Sequence, residues 1–308
     1  MSGDDAGSAA KALADGDLVI LPTETVYGLA ADAGNAAAVA RLFEAKGRPR
    51  FNPLIAHVAD LAMAERVATL DDRAHRLAEA FWPGPLTIVA PLRDASLACD
   101  LARAGLDTVA VRAPDHPLAH SVLRIFGRPV AAPSANRSGR PSPTTFADAI
   151  AETGGSARAA LDGGPCRVGI ESTVVAVLDG PVRLLRPGAV TRAELETLVG
   201  SLAEAEADAG RSPGRLARHY APNAPVRLDA DAPHLGEAFL SFGPKSGGPL
   251  TFPLSASGDL REAAANLFAA LRAADAATPT AIAVAPIPDE GLGEAINDRL
   301  RRAAGYVG

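Results

Sequence analysis

The chain has 308 residues, 48% of them hydrophobic and 21% charged, with a formal net charge of −6. That length admits two domains or one large one, and that hydrophobic share excludes a disordered chain. Thirty basic against thirty-six acidic residues argues against a protein that grips nucleic acid non-specifically, which would carry an electropositive excess.

The first ten residues have neither the basic start nor the apolar core of a signal peptide. No run of about 18 apolar residues marks a membrane span, and a cytoplasmic location is expected. Short apolar runs then alternate with helical patterns. Strands are expected at 18–21, 54–58, 86–91, 108–112, 129–132, 173–178 and 183–185, and helices at 36–46, 71–81, 117–126, 145–152 and 192–199. Asn35 and Thr191 stand where N-caps belong. The alternation predicts an α/β domain over 1–200, and the short links between some strands make its sheet mixed. A polar, Gly- and Pro-bounded stretch at 201–223 reads as a linker. A smaller Rossmann-like α/β domain follows over 224–308, with strands at 225–228, 239–242 and 280–285 and helices at 260–274 and 292–302.

The usual nucleotide motifs are absent: no P-loop occurs, and no Gly-x-Gly-x-x-Gly follows a strand into a helix. Gly243-Pro244-Lys245-Ser246 approaches a P-loop but has proline between glycine and lysine, so it reads as a turn. His116 and His120 have metal-ligand spacing without a third ligand, which favours a solvated turn. Cys99 and Cys166 share no Cys-x-x-Cys spacing and read as reduced, buried thiols.

Three loops carry dense polar groups at strand ends, where open α/β sheets bind ligands. Leu21–Leu29 holds Thr23, Glu24 and Thr25, and it reads equally as a threonine-rich turn. The stretch 46–57 gathers Lys46, Arg48 and Arg50 with Asn52 and His57. It is either a phosphate clamp or cations complementing a helix C-terminus, and His57 either a ligand or a core histidine. Lys46 stands out because Lys11, Lys46 and Lys245 are the only lysines. The run 133–144, with Ser134, Asn136, Ser138 and Ser142, offers donors to phosphate oxygens or is a flexible loop. Arg112, placed within a strand, requires an anionic partner, either a substrate carboxylate or an internal Asp or Glu.

Taken together, Leu21–Leu29, Lys46–His57, Phe81-Trp82-Pro83-Gly84-Pro85-Leu86-Thr87, Val109–Pro114, Ala131–Thr144, Leu161–Gly164, Gly169–Val175 and Leu185–Gly188 resemble the YrdC-like family in order and spacing. The run 212–222, Ser-Pro-Gly-Arg-Leu-Ala-Arg-His-Tyr-Ala-Pro, looks like the linker signature of its long, two-domain threonylcarbamoyl-AMP synthases. The resemblance implies a strongly twisted open α/β fold with a concave basic cavity. It also implies a reaction, in which L-threonine, bicarbonate and ATP give threonylcarbamoyl-adenylate and pyrophosphate for a threonylcarbamoyl-transferase machinery that modifies tRNA. Carried over residue by residue, it places Lys46 and Arg48 at the reacting phosphates, with Asn52, Ser134, Asn136, Ser142 and Arg186 continuing the ATP cradle. Tyr220 closes over the nucleotide. Thr25, His57, Thr108, Arg112 and Ser172 hold threonine and bicarbonate, and Arg112 pairs with the threonine carboxylate. Magnesium accompanies ATP without dedicated protein ligands, and no organic cofactor is implied.

Two alternatives follow from the same residues. A carbamoyl-transfer relative of the hydrogenase-maturation type would carry zinc-finger-like and acylphosphatase-like regions that are missing here. An RNA-binding module would need an exposed aromatic–basic stripe, and the net charge opposes it.

Overall fold

The computed structural model describes residues 5–49, 51–204, 219–244 and 248–305. Arg50, most of the expected linker, including 212–218 of its signature, and the Lys245-Ser246 turn lie outside the described residues.

The first sheet has ten strands: β1 (Val19–Leu21), β2 (Gly28–Asp32), β3 (Ile55–His57), β4 (Leu86–Pro91), β5 (Thr108–Arg112), β6 (Val130–Ala131), β7 (Ala159–Ala160), β8 (Thr173–Ala176), β9 (Arg183–Arg186) and β10 (Ala203–Glu204). They lie in the order β10-β9-β8-β4-β5-β3-β6-β2-β1-β7, and both parallel and antiparallel pairs occur, so the sheet is mixed as expected. Around it pack α1 (Ala6–Ala14), α2 (Ala36–Lys46), α3 (Leu61–Val67), α4 (Asp72–Phe81), α5 (Asp100–Arg103), α6 (Pro117–Phe126), α7 (Phe146–Thr153) and α8 (Arg192–Val199).

Local chemistry explains the helix ends. Asn35 caps α2 by accepting from Ala37 N and Ala38 N, and Gly47, in the left-handed region, ends it. Thr191 and Glu194 form a capping box on α8. His116 is the N-cap of α6, its Nδ1 accepting from Leu118 N at 3.3 Å. The sequence reading did not foresee α1, α3 or β2. α1 starts where the Asp5 carboxylate accepts from Ser8 N, and β2 is a Gly/Ala strand held by burial between β1 and β6 rather than by β-propensity.

A second sheet comprises β11 (Val226–Arg227), β12 (Ala238–Phe242), β13 (Thr251–Ser255) and β14 (Ile282–Val284), all parallel in the order β11-β14-β12-β13, with α9 (Leu260–Ala276) and α10 (Leu292–Ala303) against it. Pro253 is tolerated in β13 because that strand is an edge.

The two units share a core. Val26 and Ile170 from the first, with Tyr220, lie in the apolar cluster of Leu240, Leu254, Leu267, Phe268 and Ile296. Gly169, with φ +77°, lies so near α9 that a Cβ there would collide with the Ala265 backbone. Among the described residues no helix is long and apolar enough to cross a membrane.

Candidate active site

A cavity of about 60 Å³ opens where the ends of β3, β5, β8 and β9 meet the loops after β1 and β6. Thr25, Arg48, His57, Arg112, Ser134, Ser172, Arg186 and Tyr220 line it, together with Thr23, Val26, Glu171 and His219. Eight of the residues expected at the site therefore meet at one place. β3 and β5 pair with His57 opposite Arg112, which brings the imidazole and the guanidinium side by side at the strand ends.

Arg112 is almost fully buried. Its Nη2 donates to Glu24 Oε1 at 2.6 Å and its Nε to Gly84 O at 3.2 Å, while the second Glu24 oxygen accepts from Asp115 N at 3.0 Å. The internal carboxylate weighed as a competing partner thus exists, and Arg112 still faces the cavity. Thr25 shares a hydrogen bond of 2.9 Å with Thr23, whose hydroxyl holds Val26 O at 2.6 Å and so shapes the loop as a hydroxyl-stapled turn. Ser172 Oγ bonds Thr87 Oγ1 at 2.7 Å, and Arg186 donates from Nε and Nη2 to Ser172 O at 3.2 and 2.8 Å. Arg48 is pulled down to about 10 by burial, with the like charge of Arg186 acting in the same direction.

Both cavity histidines are neutral. Burial, reinforced by the Arg112 charge, pushes His57 down to about 3, and its Nδ1–H faces Ile55 O at 3.2 Å, which leaves Nε2 as an acceptor. Burial likewise pushes His219 to about 3, and its buried Nδ1 has no partner among the described residues. The His219 ring stands edge-on to Tyr220 with centroids 4.0 Å apart.

Four expected ligands sit one layer behind the wall. Lys46 Nζ is spent on two carbonyls, those of Ser134 and Asn136, and burial, then the Arg48 charge, pulls its pKa well below the ordinary value. These two bonds fasten the 134–136 backbone and use two of the three ammonium donors. Asn136 reaches back to Arg137 O and Arg140 O at 2.8 and 2.9 Å, and Ser142 donates to Glu171 Oε1 at 2.6 Å. Asn52 is buried, and its Oδ1 has no partner among the described residues. Thr108 lies outside the cavity lining: it starts β5, four residues from Arg112 and so roughly 13 Å away along the strand. It lines an adjoining depression with Val89, Arg103 and Leu106 that shares Pro53 and Leu54 with the cavity.

The sequence reading missed His219 and the roles of Glu24 and Glu171. Burial pushes the Glu171 carboxyl up, but Arg299, Arg186 and the Ser142 hydroxyl outweigh it and hold its pKa below the ordinary value. The signal for both carboxylates was present, since an arginine buried in a strand implies a nearby acid. Cys166, buried, is pushed up to about 12 by burial and lies outside the cavity lining, consistent with an inert thiol. A larger cleft of about 920 Å³ between the two units carries Arg167, Glu194, Asp259 and Arg261, charges of both signs, and none of these has an orphaned buried atom.

Fold and site together define an open α/β protein with an arginine-lined cavity at its strand ends and a second, smaller α/β unit packed against it. Residues 11–188 match the family described as telomere recombination, and residues 190–305 match the threonylcarbamoyl-AMP synthase C-terminal domain. A threonylcarbamoyl-AMP synthase of Bacillus subtilis is 39% identical over 96% of this chain and 92% of its own length. That of Pyrococcus abyssi is 40% identical over 97% and 93%. The crystal structure of P. abyssi Sua5 complexed with L-threonine has a TM-score of 0.90 to this chain at 38% identity, covering 98% of it and 94% of that protein. Full-length HypF in a phosphate- and nucleotide-bound form shares the fold alone, with a TM-score of 0.54 and 22% identity over 60% of this chain. The chain belongs to the threonylcarbamoyl-AMP synthase family.

Proposed function

We propose that the protein is an L-threonylcarbamoyladenylate synthase, a nucleotidyltransferase acting on L-threonine, bicarbonate and ATP. The observation that carries this reading is the convergence of Arg48, Arg112 and Arg186 with Thr25, His57, Ser134 and Ser172 on one cavity. Carboxylation of the threonine amine by bicarbonate releases water and leaves an anionic carbamate. A carbamate oxygen then attacks the α-phosphorus of ATP, and pyrophosphate leaves with the bond electrons. Two anions must approach each other, so the site's contribution is positive charge and position.

Arg112 pairs with the threonine carboxylate, while Thr25, Ser172 and the neutral His57 orient its polar groups. Thr108 is left out of that group on geometric grounds. Arg48, Arg186 and Ser134 meet the phosphates. Lys46, Asn52, Asn136 and Ser142 act by holding the loops that present them. His219 and Tyr220 cover the cavity and exclude water from a labile acyl-adenylate. Magnesium carried with ATP would add positive charge at the phosphates; Glu171, the carboxylate in the cavity lining, is already engaged by Arg299. The product passes to a threonylcarbamoyl-transferase machinery acting on tRNA, with no stable nucleic-acid contact by this chain and a cytoplasmic place of action.

The experiment is pyrophosphate release from ATP with threonine and bicarbonate added or withheld. Release that requires both supports the reading, and release that proceeds without threonine overturns it.

A further inference from the structure

The loop after β6 is fastened by two different parts of the molecule. Its upstream half belongs to the first unit: Lys46 holds the Ser134 and Asn136 carbonyls, and Ser138 N donates to Lys46 O at 2.8 Å. Its downstream half is held from elsewhere. Arg272 of α9 donates to Pro141 O and pairs with Glu152 at 2.9 Å, and the same carboxylate accepts from Arg137 N at 3.0 Å. Ala221 N donates to Gly139 O at 2.7 Å. Arg299 of α10, with no exposed surface, sets Nε 3.1 Å from Glu171 Oε2, donates to Pro187 O and lies 5.8 Å from the Tyr220 ring centroid. The other oxygen of Glu171 takes the Ser142 hydroxyl. One carboxylate at the cavity wall therefore links an arginine of the second unit to a serine of the loop and sits beside the aromatic cover.

Arg299 also meets Asp298 Oδ2 at 3.0 Å, and its Nη2 has no partner among the described residues. A rigid planar fork spanning Glu171 and Pro187 fixes direction, which lysine or an apolar side chain would not do.

We propose that Arg272 and Arg299 are positioning residues through which the second unit sets the 139–142 stretch and Glu171 for ATP, so that ATP affinity, unlike threonine affinity, depends on that unit being docked. This rests on the reaction proposed above. The test uses the full chain with Arg272→Gln, whose side chain is partly solvated, and Arg299→Lys, which keeps a charge beside Glu171 but loses the fork. Binding of a non-hydrolysable ATP analogue and of threonine is titrated separately, with thermal melts alongside. The expected result is ATP-analogue affinity weakened on the order of tenfold or more in Arg272→Gln, with a smaller loss in Arg299→Lys, and threonine affinity within about twofold of the parent. A lower melting temperature with unchanged ATP-analogue affinity would mean that the arginines only glue the units together, and it overturns the proposal. If Arg299→Lys does not fold, Arg272→Gln alone decides. Should the parent release no pyrophosphate with threonine, the proposed reaction falls, while the ATP-analogue titration still decides the positioning role.

Discussion

The pair Arg112–Glu24 separates substrate binding from stability in a way that two single substitutions can read. Both side chains are nearly inaccessible, 4% and 1% exposed, and bonded at 2.6 Å. Removing either partner strands a charge in the interior, a cost of about 3–5 kcal/mol against a total stability of about 5–15 kcal/mol. Arg112→Ala and Glu24→Gln should therefore both melt well below the parent. Their effects on threonine differ in sign. Arg112→Ala removes a charge-assisted hydrogen bond to the carboxylate, about 1.5–3 kcal/mol or roughly 10- to 150-fold in affinity, and leaves Glu24 to repel the same group. Glu24→Gln frees the guanidinium from its internal competitor, so threonine should bind at least as tightly as to the parent and should restore much of the lost stability on binding. The assay is a threonine titration of pyrophosphate release at fixed ATP, with urea melts in the presence and absence of threonine. Equal loss of threonine affinity in both variants, or a rise in the ATP requirement of Arg112→Ala as large as that for threonine, would refute the assignment.

Lys46→Met unfastens the Ser134 and Asn136 carbonyls and should reduce single-turnover pyrophosphate release about 100-fold. Lys46→Arg should not restore it, because a compact ammonium is what fits between two carbonyls. His57 and His219, ordinary near 6.5 when unfolded and about 3 in the fold, bind fewer protons folded than unfolded between those values, so stability falls as pH drops below about 6.5. The loss at pH 5 should be about 2 kcal/mol for each histidine, and His219→Gln should flatten the melting curve against pH by its share; a flat parent curve from pH 7 to 5 contradicts the buried neutral imidazoles. Gly169→Ala puts a methyl group into the α9 backbone at a positive φ, so it should loosen the docking of the second unit, seen as a larger radius of gyration by small-angle scattering.

Much of the first sheet was legible because its strands are short apolar runs between turn signals, as at 86–91 and 108–112. The elements that escaped are those whose residues carry no such pattern, Gly28–Asp32 above all, where burial on both faces overrides propensity. The polar loops singled out in the sequence contribute residues to one cavity, because the strands they adjoin end around it. Which atoms remain free was not legible. The sequence does not show that Lys46 holds the carbonyls of Ser134 and Asn136, or that Ser142 donates to Glu171. Thr108, expected with threonine and bicarbonate, stands at the far end of β5 from Arg112 and lines the adjoining depression. Arg272 and Arg299 were invisible as site residues because the second unit reads as a separate body until its core proves to contain Val26 and Ile170.

The size of the cavity has a kinetic consequence. About 60 Å³ holds a few water molecules, whereas sites for ligands of nucleotide size run to about 300–1,000 Å³. On the proposed reaction, ATP and threonine would enter a molecule in which His219 and Tyr220 have moved aside, and the measured affinity would be the intrinsic one reduced by the fraction of molecules in that state. Entry would then be timed by the protein and not by diffusion, and the association rate should reach a plateau with substrate concentration. The same cover would meet the product on the way out, giving the adenylate a residence time set by the chain that made it.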